Sequence, residues 1–261
     1  MSMITGARAW IDLPTPVPLG GGVVSVARVI DTTGHELMGV ESQTDACAEV
    51  EEWDEWCTIA PVGRKVFEDG LTYVTGDPFV VYAGVSCDLQ KLDEAEARAR
   101  ARLDLGESRG VDYHVDAQLA ADPNVIDLGG PFPLSQGIGV AEAFAATVYG
   151  GKPTLLIPRV VIPCGGGFTQ FESSLSGNLL TVAGSLVGPL TTAIAVPYVA
   201  GPVTMYVTGS ITLLRGPVNS FSVPQQVTDL GPDFAPMRAL AERVYVPVFD
   251  CLVAKVEVTC S

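Results

Sequence analysis

From Phe79 to Cys87 the residues alternate: Phe79, Val81, Ala83, Val85 and Cys87 share one face of an extended segment, and Val80, Tyr82, Gly84 and Ser86 the other. That period predicts a strand. After Asp88 the period changes. Glu94, Arg98 and Arg102 stack at i, i+4, i+8, as do Glu96, Arg100 and Asp104, which predicts one long, heavily charged helix from Leu92 to Ala121. Asp88 is its simplest N-cap, Gly106 and Gly110 predict a kink or break, and Asp122-Pro123 ends it.

On the N-terminal side, residues 1–42 show no sustained period, and Val23 to Ile30 is a single strand candidate. Such a segment buries little of its own surface, so it reads as an extended arm whose partners are other subunits. Thr44 is placed as the N-cap of a short acidic helix through Cys57, with Val50, Trp53 and Cys57 on one face. Ile59 to Thr75 holds two extended runs around the turn signal Glu68-Asp69-Gly70.

On the C-terminal side, Ser135 to Tyr149 is helical, with Val140, Phe144 and Val148 on one stripe, and Leu155 to Ile162 follows as a strand. No charged residue occurs between Glu172 and Arg215, yet Gly184, Gly188, Pro189 and Pro197 make this stretch short buried strands rather than a membrane-spanning helix. Val203 to Thr208 alternates, Gly209 bends the chain, and Ile211 to Leu214 continues as a strand. A short helix is placed at Pro236 to Arg243, and Val244 to Cys260 as one long closing strand.

Composition sharpens this picture. The 261 residues are 48% hydrophobic and 17% charged, more apolar surface than a compact monomer needs, and oligomerisation accounts for the excess. Net charge is −15, with residues 1–121 carrying 21 acids and 9 bases. No basic stripe is available to neutralise phosphates, so direct nucleic-acid binding is not expected, although an acidic wall would let an enclosed polymer slide. The six cysteines, at 47, 57, 87, 164, 251 and 260, form no C-x-x-C pair and are expected as buried free thiols. Met1 to Leu13 carries an Arg and an Asp where a signal peptide has its apolar core.

Chemistry is sparse. Asp112-x-His114-x-Asp116 would converge as metal ligands on a strand, but on a helix His114 points away from both acids. Gly184-Ser185-Leu186-Val187-Gly188 lacks the G-x-S-x-G spacing, and Gly150-Gly151-Lys152-Pro153-Thr154 has Ala146 where a phosphate loop needs its first glycine. A hydrolase using Ser185 or Cys164 is the weakest reading. The expectation is no catalytic, cofactor-binding or metal residues, no cofactor, and no enzyme.

The order of elements carries more. An N-terminal arm, a short helix, a long β excursion, a charged spine helix, an inserted α/β region and a closing strand resemble the major capsid protein of tailed bacteriophages, a fold shared with encapsulin shells and the floor of herpesvirus capsids. The resemblance rests on Phe79-Val80-Val81-Tyr82-Ala83, Leu105-Gly106-Glu107, Tyr206-Val207-Thr208-Gly209 with Ile211-Thr212-Leu213, and Leu240-Ala241-Glu242-Arg243 leading into Tyr245-Val246-Pro247-Val248. These look like capsid proteins of actinobacterial phages.

The resemblance implies an α+β capsid fold with residues 1–42 as N-terminal arm, 43–57 as short helix, 58–87 as extended β-hairpin loop over a neighbour, 88–132 and 201–261 as peripheral domain with the spine helix, and 133–200 as axial domain. It implies a structural subunit that self-assembles as hexamers and pentamers into an icosahedral shell around double-stranded phage DNA. Assembly would occur in the host cytoplasm, with a separate scaffolding or decoration protein as a further partner and no membrane. No cleaved scaffolding segment is expected at the N-terminus. Implied inter-subunit contacts are Arg64, Lys65, Glu68, Asp69, Glu94, Arg98 and Arg102. Some family members crosslink a loop lysine to a neighbour's asparagine; Lys65 lies in that region, and no asparagine here matches the motif. The alternatives are an encapsulin-like compartment shell and another β-rich virion component, a decoration or tail protein.

Overall fold

The computed structural model describes residues 16–48, 72–87, 92–164, 169–170, 179–191, 201–224 and 237–260. In chain order these form α1 (Val23–Val26), β1 (Arg28–Asp31), a 3-10 turn (His35–Met38), β2 (Val40–Thr44), β3 (Thr72–Gly76), β4 (Phe79–Cys87), α2 (Leu92–Ala121), β5 (Ile126–Asp127), β6 (Phe132–Pro133), α3 (Leu134–Val148), β7 (Thr154–Pro158), a 3-10 turn (Ile162–Cys164), β8 (Thr169–Gln170), β9 (Leu179–Leu180), β10 (Leu186–Leu190), β11 (Val203–Thr208), β12 (Ile211–Arg215), β13 (Asn219–Pro224), β14 (Met237–Phe249) and β15 (Val253–Thr259).

Two sheets organise them. In the first, the long strand β14 is the hub: its N-terminal half pairs antiparallel with β4 along one edge and β13 along the other, and its C-terminal half pairs with β12, which pairs in parallel with β1. The second runs β5-β15-β11-β7-β10-β9-β8, with β6 also on β15. Strand β7 is buried at every position, as a strand flanked by parallel β10 and antiparallel β11 must be. In β15 only Ala254, Val256 and Val258 are fully buried, the alternation expected of a sheet with one packed face.

Helix α2 lies across the first sheet. Its buried apolar positions are Ala95, Ala99, Leu103, Val111, Val115 and Leu119, with partly buried Glu107 completing an unbroken four-residue spacing. At about 100° per residue each step of four advances the stripe by roughly 40°, so over six steps it winds some way round the helix. The first three positions pack on Ala239 and Ala241 of β14 and on Val81, Ala83 and Val85 of β4. The last three face a different set, including Val23, Leu156, Leu190, Tyr206, Leu213 and Tyr245. The helix therefore joins the β4 end of the first sheet to the second sheet. Helix α3 covers the second sheet through Leu134, Ala141 and Ala145, against Ile157, Met205, Val207 and Val256.

Several sequence expectations change. Helix α2 is unbroken, because Gly110 sits where β4 comes closest: a Cβ there would lie 2.7 Å from Val81 Cγ1. Val23 to Ile30 is a one-turn helix followed by a strand, and it packs on its own chain, with Val23 fully buried. Thr44 is not an N-cap but the end of β2, which pairs antiparallel with β3 as a ribbon. The remainder of that expected helix, from residue 49, and the Glu68-Asp69-Gly70 turn lie outside the described residues. Pro236 to Arg243 is not a helix: from Met237 the chain is strand, because β4 and β13 claim both edges of a segment whose helix-forming residues are overridden by pairing. The expected closing strand is two strands in different sheets, parted at Asp250 to Leu252. Among the described residues no helix is long and apolar enough to cross a membrane.

The two glycines of α2 should respond oppositely to alanine. Gly110→Ala is expected to destabilise by about 1–3 kcal/mol through overpacking against Val81. At Gly106 a Cβ meets nothing nearer than Arg109 Nη2 at 3.8 Å, so Gly106→Ala is expected to stabilise by about 0.5–1 kcal/mol. Thermal or denaturant unfolding of the two variants measures both.

Candidate functional site

Two places in the fold gather polar groups from distant parts of the chain. The first is where the chain changes sheet. Strand β11 leaves the second sheet and β12 enters the first at Gly209-Ser210, and β14 and β15 make the reverse passage at Asp250 to Leu252. The two crossovers lie side by side: Gly209 N–H donates to Leu252 O at 2.9 Å and Asp250 N–H to Ser210 O at 3.0 Å. The Asp250 carboxylate then accepts from the Thr44 hydroxyl at 2.5 Å, the Tyr149 hydroxyl at 2.9 Å, the Ser210 hydroxyl at 3.2 Å and the Cys251 N–H at 2.9 Å. Burial works to raise its pKa, but the donors from Thr44, Cys251, Tyr149 and Ser210 prevail and hold it below the ordinary carboxylate value. Tyr149 also accepts the Ser210 N–H at 2.9 Å, so the end of α3, the end of β2 and both crossovers meet at one carboxylate.

Cys47, just past β2, is disulfide-bonded to Cys251 at this junction, and Cys164 to Cys260 at the end of β15. The free-thiol expectation is thus overturned for these four cysteines: the partners are 204 and 96 residues apart in sequence, and the fold brings them together, the first pair at the crossovers and the second past the ends of β7 and β15, both paired to β11. Each such bond contributes about 2–4 kcal/mol by restricting the unfolded chain. Cys57 and the Cys87 side chain lie outside the described residues.

The second place is Asp112, fully buried within α2. Its carboxylate accepts the Val23 N–H at 2.8 Å and the Thr191 N–H at 3.0 Å. Burial raises its pKa, opposed by those amide donors and by Arg159 nearby. Gly22, at φ +83, lies against the carboxylate with no room for a Cβ. Arg159 donates to Gly20 O at 2.7 Å and Ser108 to Gly21 O at 3.1 Å. Three side-chain hydrogen bonds thus hold residues 20–23 to the body of the chain.

The residues singled out in the sequence scatter. Glu94 and Arg98 form an ion pair on the exposed face of α2, whereas Arg102 reaches the Gly84 carbonyl of β4 at 2.9 Å and Arg100 the Ser220 hydroxyl at 2.8 Å. Arg64, Lys65, Glu68 and Asp69 lie outside the described residues. His114 stacks on Phe79 at 3.7 Å between ring centroids, burial lowers its pKa, and Asp112 is occupied elsewhere. Among the described residues no three His, Cys, Asp or Glu side chains form a group able to hold a metal ion. Ser185 donates to Glu142 at 2.7 Å, and Cys164, bonded to Cys260, is not a free nucleophile. Sequence reasoning missed Asp250 and both disulfides, for which the even cysteine count was the one available signal, and weighed Asp112 only as a metal ligand, not as the acceptor of two distant amides. It did single out Glu107, Arg243 and Tyr245: the Glu107 carboxylate accepts from both others in a largely buried cluster joining α2 to β14.

With this geometry established, comparison with solved structures is informative over nearly the full chain. A structure described as the capsid of a native GTA particle superposes with a TM-score of 0.60 at 8% identity, covering 98% of this chain and 96% of that one. A structure from Mycobacterium phage Bobi gives 0.54 at 15% identity, covering 98% and 96%. The capsid of cyanophage P-SCSP1u gives 0.50 at 8% identity, covering 98% and 93%. No protein-family profile matches the chain. No curated protein matches it either. The fold is that of phage capsid-shell proteins, α+β throughout, as the order of sequence elements implied.

Asp112→Asn tests the second of these places. An amide presents one acceptor oxygen to two N–H groups, so one buried donor loses its partner at a cost of about 1–3 kcal/mol. Hydrogen exchange should quicken at the Val23 and Thr191 amides and stay unchanged in β7.

Proposed function

We propose that this chain is the major capsid protein of a double-stranded DNA tailed phage, a structural subunit rather than an enzyme, assembling as hexamers and pentamers into a closed icosahedral shell. The observation that carries this reading is the end-to-end correspondence with the GTA capsid subunit, 98% of one chain against 96% of the other. A decoration or tail protein shares no reason to reproduce every element of a shell subunit in order.

In this reading α2 and the first sheet are the peripheral domain, and α3 with residues 133–200 the axial domain, its sheet completed by β11 and β15 from beyond residue 200. The β2–β3 ribbon begins the extended loop, and residues 16–22 lead out of the arm. Charge supports the role: at −15 a shell wall repels phosphate and leaves packaged DNA mobile, enclosing it without sequence-specific contact. Exposed apolar side chains support it too. Val80 on β4 is 49% exposed, and Tyr82, 69% exposed, borders a groove of about 590 Å³ with Leu105 and Tyr113 of α2, a surface suited to burial against a neighbour. Glu94, Arg98 and Arg102 remain proposed lattice contacts, as do Arg64, Lys65, Glu68 and Asp69.

Electron microscopy of the purified protein is the direct test. Closed shells built of hexamers and pentamers are expected, and a protein that stays monomeric under every assembly condition overturns the proposal. A second measurement isolates the helix face: Arg98→Glu is expected to reduce shell yield while shifting subunit stability by no more than about 1 kcal/mol, the lost i,i+4 pair with Glu94 plus a like-charge repulsion of similar size.

A further inference from the structure

The end of β2 is pinned to the sheet junction by one bond that redox chemistry can open. Around Cys47–Cys251 the other ties are weaker: the hydrogen bonds from Thr44 to Asp250 and from the Gly150 N–H to Ala46 O at 2.6 Å, and the partly buried Ala46 packed on the core under α3. Beyond the Gly76 end of β3, which packs on Pro247 and Val248 of β14, the ribbon has little other hold, since most positions of β2 and β3 are exposed. Both cysteines are partly exposed and line a groove of about 650 Å³ with Ala48, Val148, Tyr149 and Gly150, so a small thiol or disulfide can reach the sulfurs.

We infer that Cys47–Cys251 is a redox lock on the end of the β2–β3 ribbon, open as two thiols while the subunit is in a reducing cytosol and closed by oxidation afterwards. This rests on the shell reading, which places synthesis inside a host cell and the finished particle outside it. Cytosolic glutathione keeps such cysteines reduced, and release removes that restraint. Closure uses glutathione disulfide as oxidant. The Cys47 thiolate attacks one of its sulfurs, forming a mixed disulfide and expelling one glutathione thiolate. The Cys251 thiolate then attacks the Cys47 sulfur, forming the protein disulfide and expelling the second. Two protein thiols are oxidised, one glutathione disulfide is reduced, and the two protons lost by the protein thiols end on the two expelled glutathione thiolates, giving two thiols. Until that step Asp250 and its hydrogen bonds orient the ribbon; afterwards the bond fixes it.

The test is hydrogen exchange, read by mass spectrometry on peptides covering 40–48 and 72–76 of the full-length protein, held in reduced glutathione and then in glutathione disulfide. Oxidation is expected to slow exchange there by at least about tenfold, the restraint of a cross-link acting on a locally opening segment. Cys164→Ser should keep that response and Cys47→Ser should lose it. Equal exchange in the two buffers, or a Cys47→Ser protein that still responds, overturns the lock. The wild-type comparison needs no substitution, so a variant that fails to fold does not spare the proposal. Electron microscopy of the same samples separates this idea from the shell reading. Shells formed in reduced glutathione that later gain the disulfide support both. Redox-dependent protection with no shells in either buffer supports the lock and overturns the shell reading. Shells in both buffers with unchanged protection overturn the lock alone, and shells formed only from oxidised protein overturn its order of events.

Discussion

Everything in this fold depends on the double crossover at Gly209-Ser210 and Asp250 to Leu252. A strand that leaves one sheet for another abandons its ladder, and the backbone groups at the break need other partners. Here the two breaks serve each other, Gly209 with Leu252 and Asp250 with Ser210, so the passages are stable only as a pair. Asp250 extends the arrangement outward: one half-buried carboxylate takes donors from β2, from the end of α3 and from both crossovers. Its four acceptor sites are filled, which rigidifies the joint in a way an apolar contact would not.

The spine helix solves a second problem, how one rod can touch two sheets. A seven-residue repeat would keep its stripe on one side; a strict four-residue repeat carries the stripe round the rod. Alanines at 95 and 99 allow close approach to Ala239 and Ala241, and Val111, Val115 and Leu119 then turn toward the second cluster. Glu107 stands midway, where the stripe passes from one cluster to the other, and its pairing with Arg243 and Tyr245 satisfies a carboxylate that would otherwise be costly to bury.

That drift explains what could be read from sequence and what could not. The strand Phe79 to Cys87 and the helix beginning at Leu92 were legible because period-2 alternation and i,i+4 charges are local. The continuity of α2 through Gly106 and Gly110 was not, because the reason for glycine at 110 is a strand 29 residues earlier. The strand at Met237 was misread as helix because Leu240-Ala241-Glu242-Arg243 favours helix locally, and only β4 and β13 on its two edges decide otherwise. The cysteine pairs and the role of Asp112 were invisible for the same reason: each acts across a distance in sequence that no spacing rule spans. Glu107, Arg243 and Tyr245 were noticed as fragments of separate motifs, and their convergence on one carboxylate is what the fold adds.

The same distinction accounts for a fold held at 8% identity over 98% of the chain. The requirements described here are geometric: two crossovers that pair, a small-residue seam at a four-residue spacing, a close approach at one helical position, and a strand long enough to serve two sets of neighbours. Each can be met by many side chains. Alanine, serine or glycine would serve at the seam, and any buried acceptor held by several donors could replace Asp250. Core volume and patterning tolerate wide substitution while topology does not. Sequence can therefore diverge widely while the paired crossovers are kept, and the Cys47–Cys251 disulfide ties the end of β2 to that joint directly.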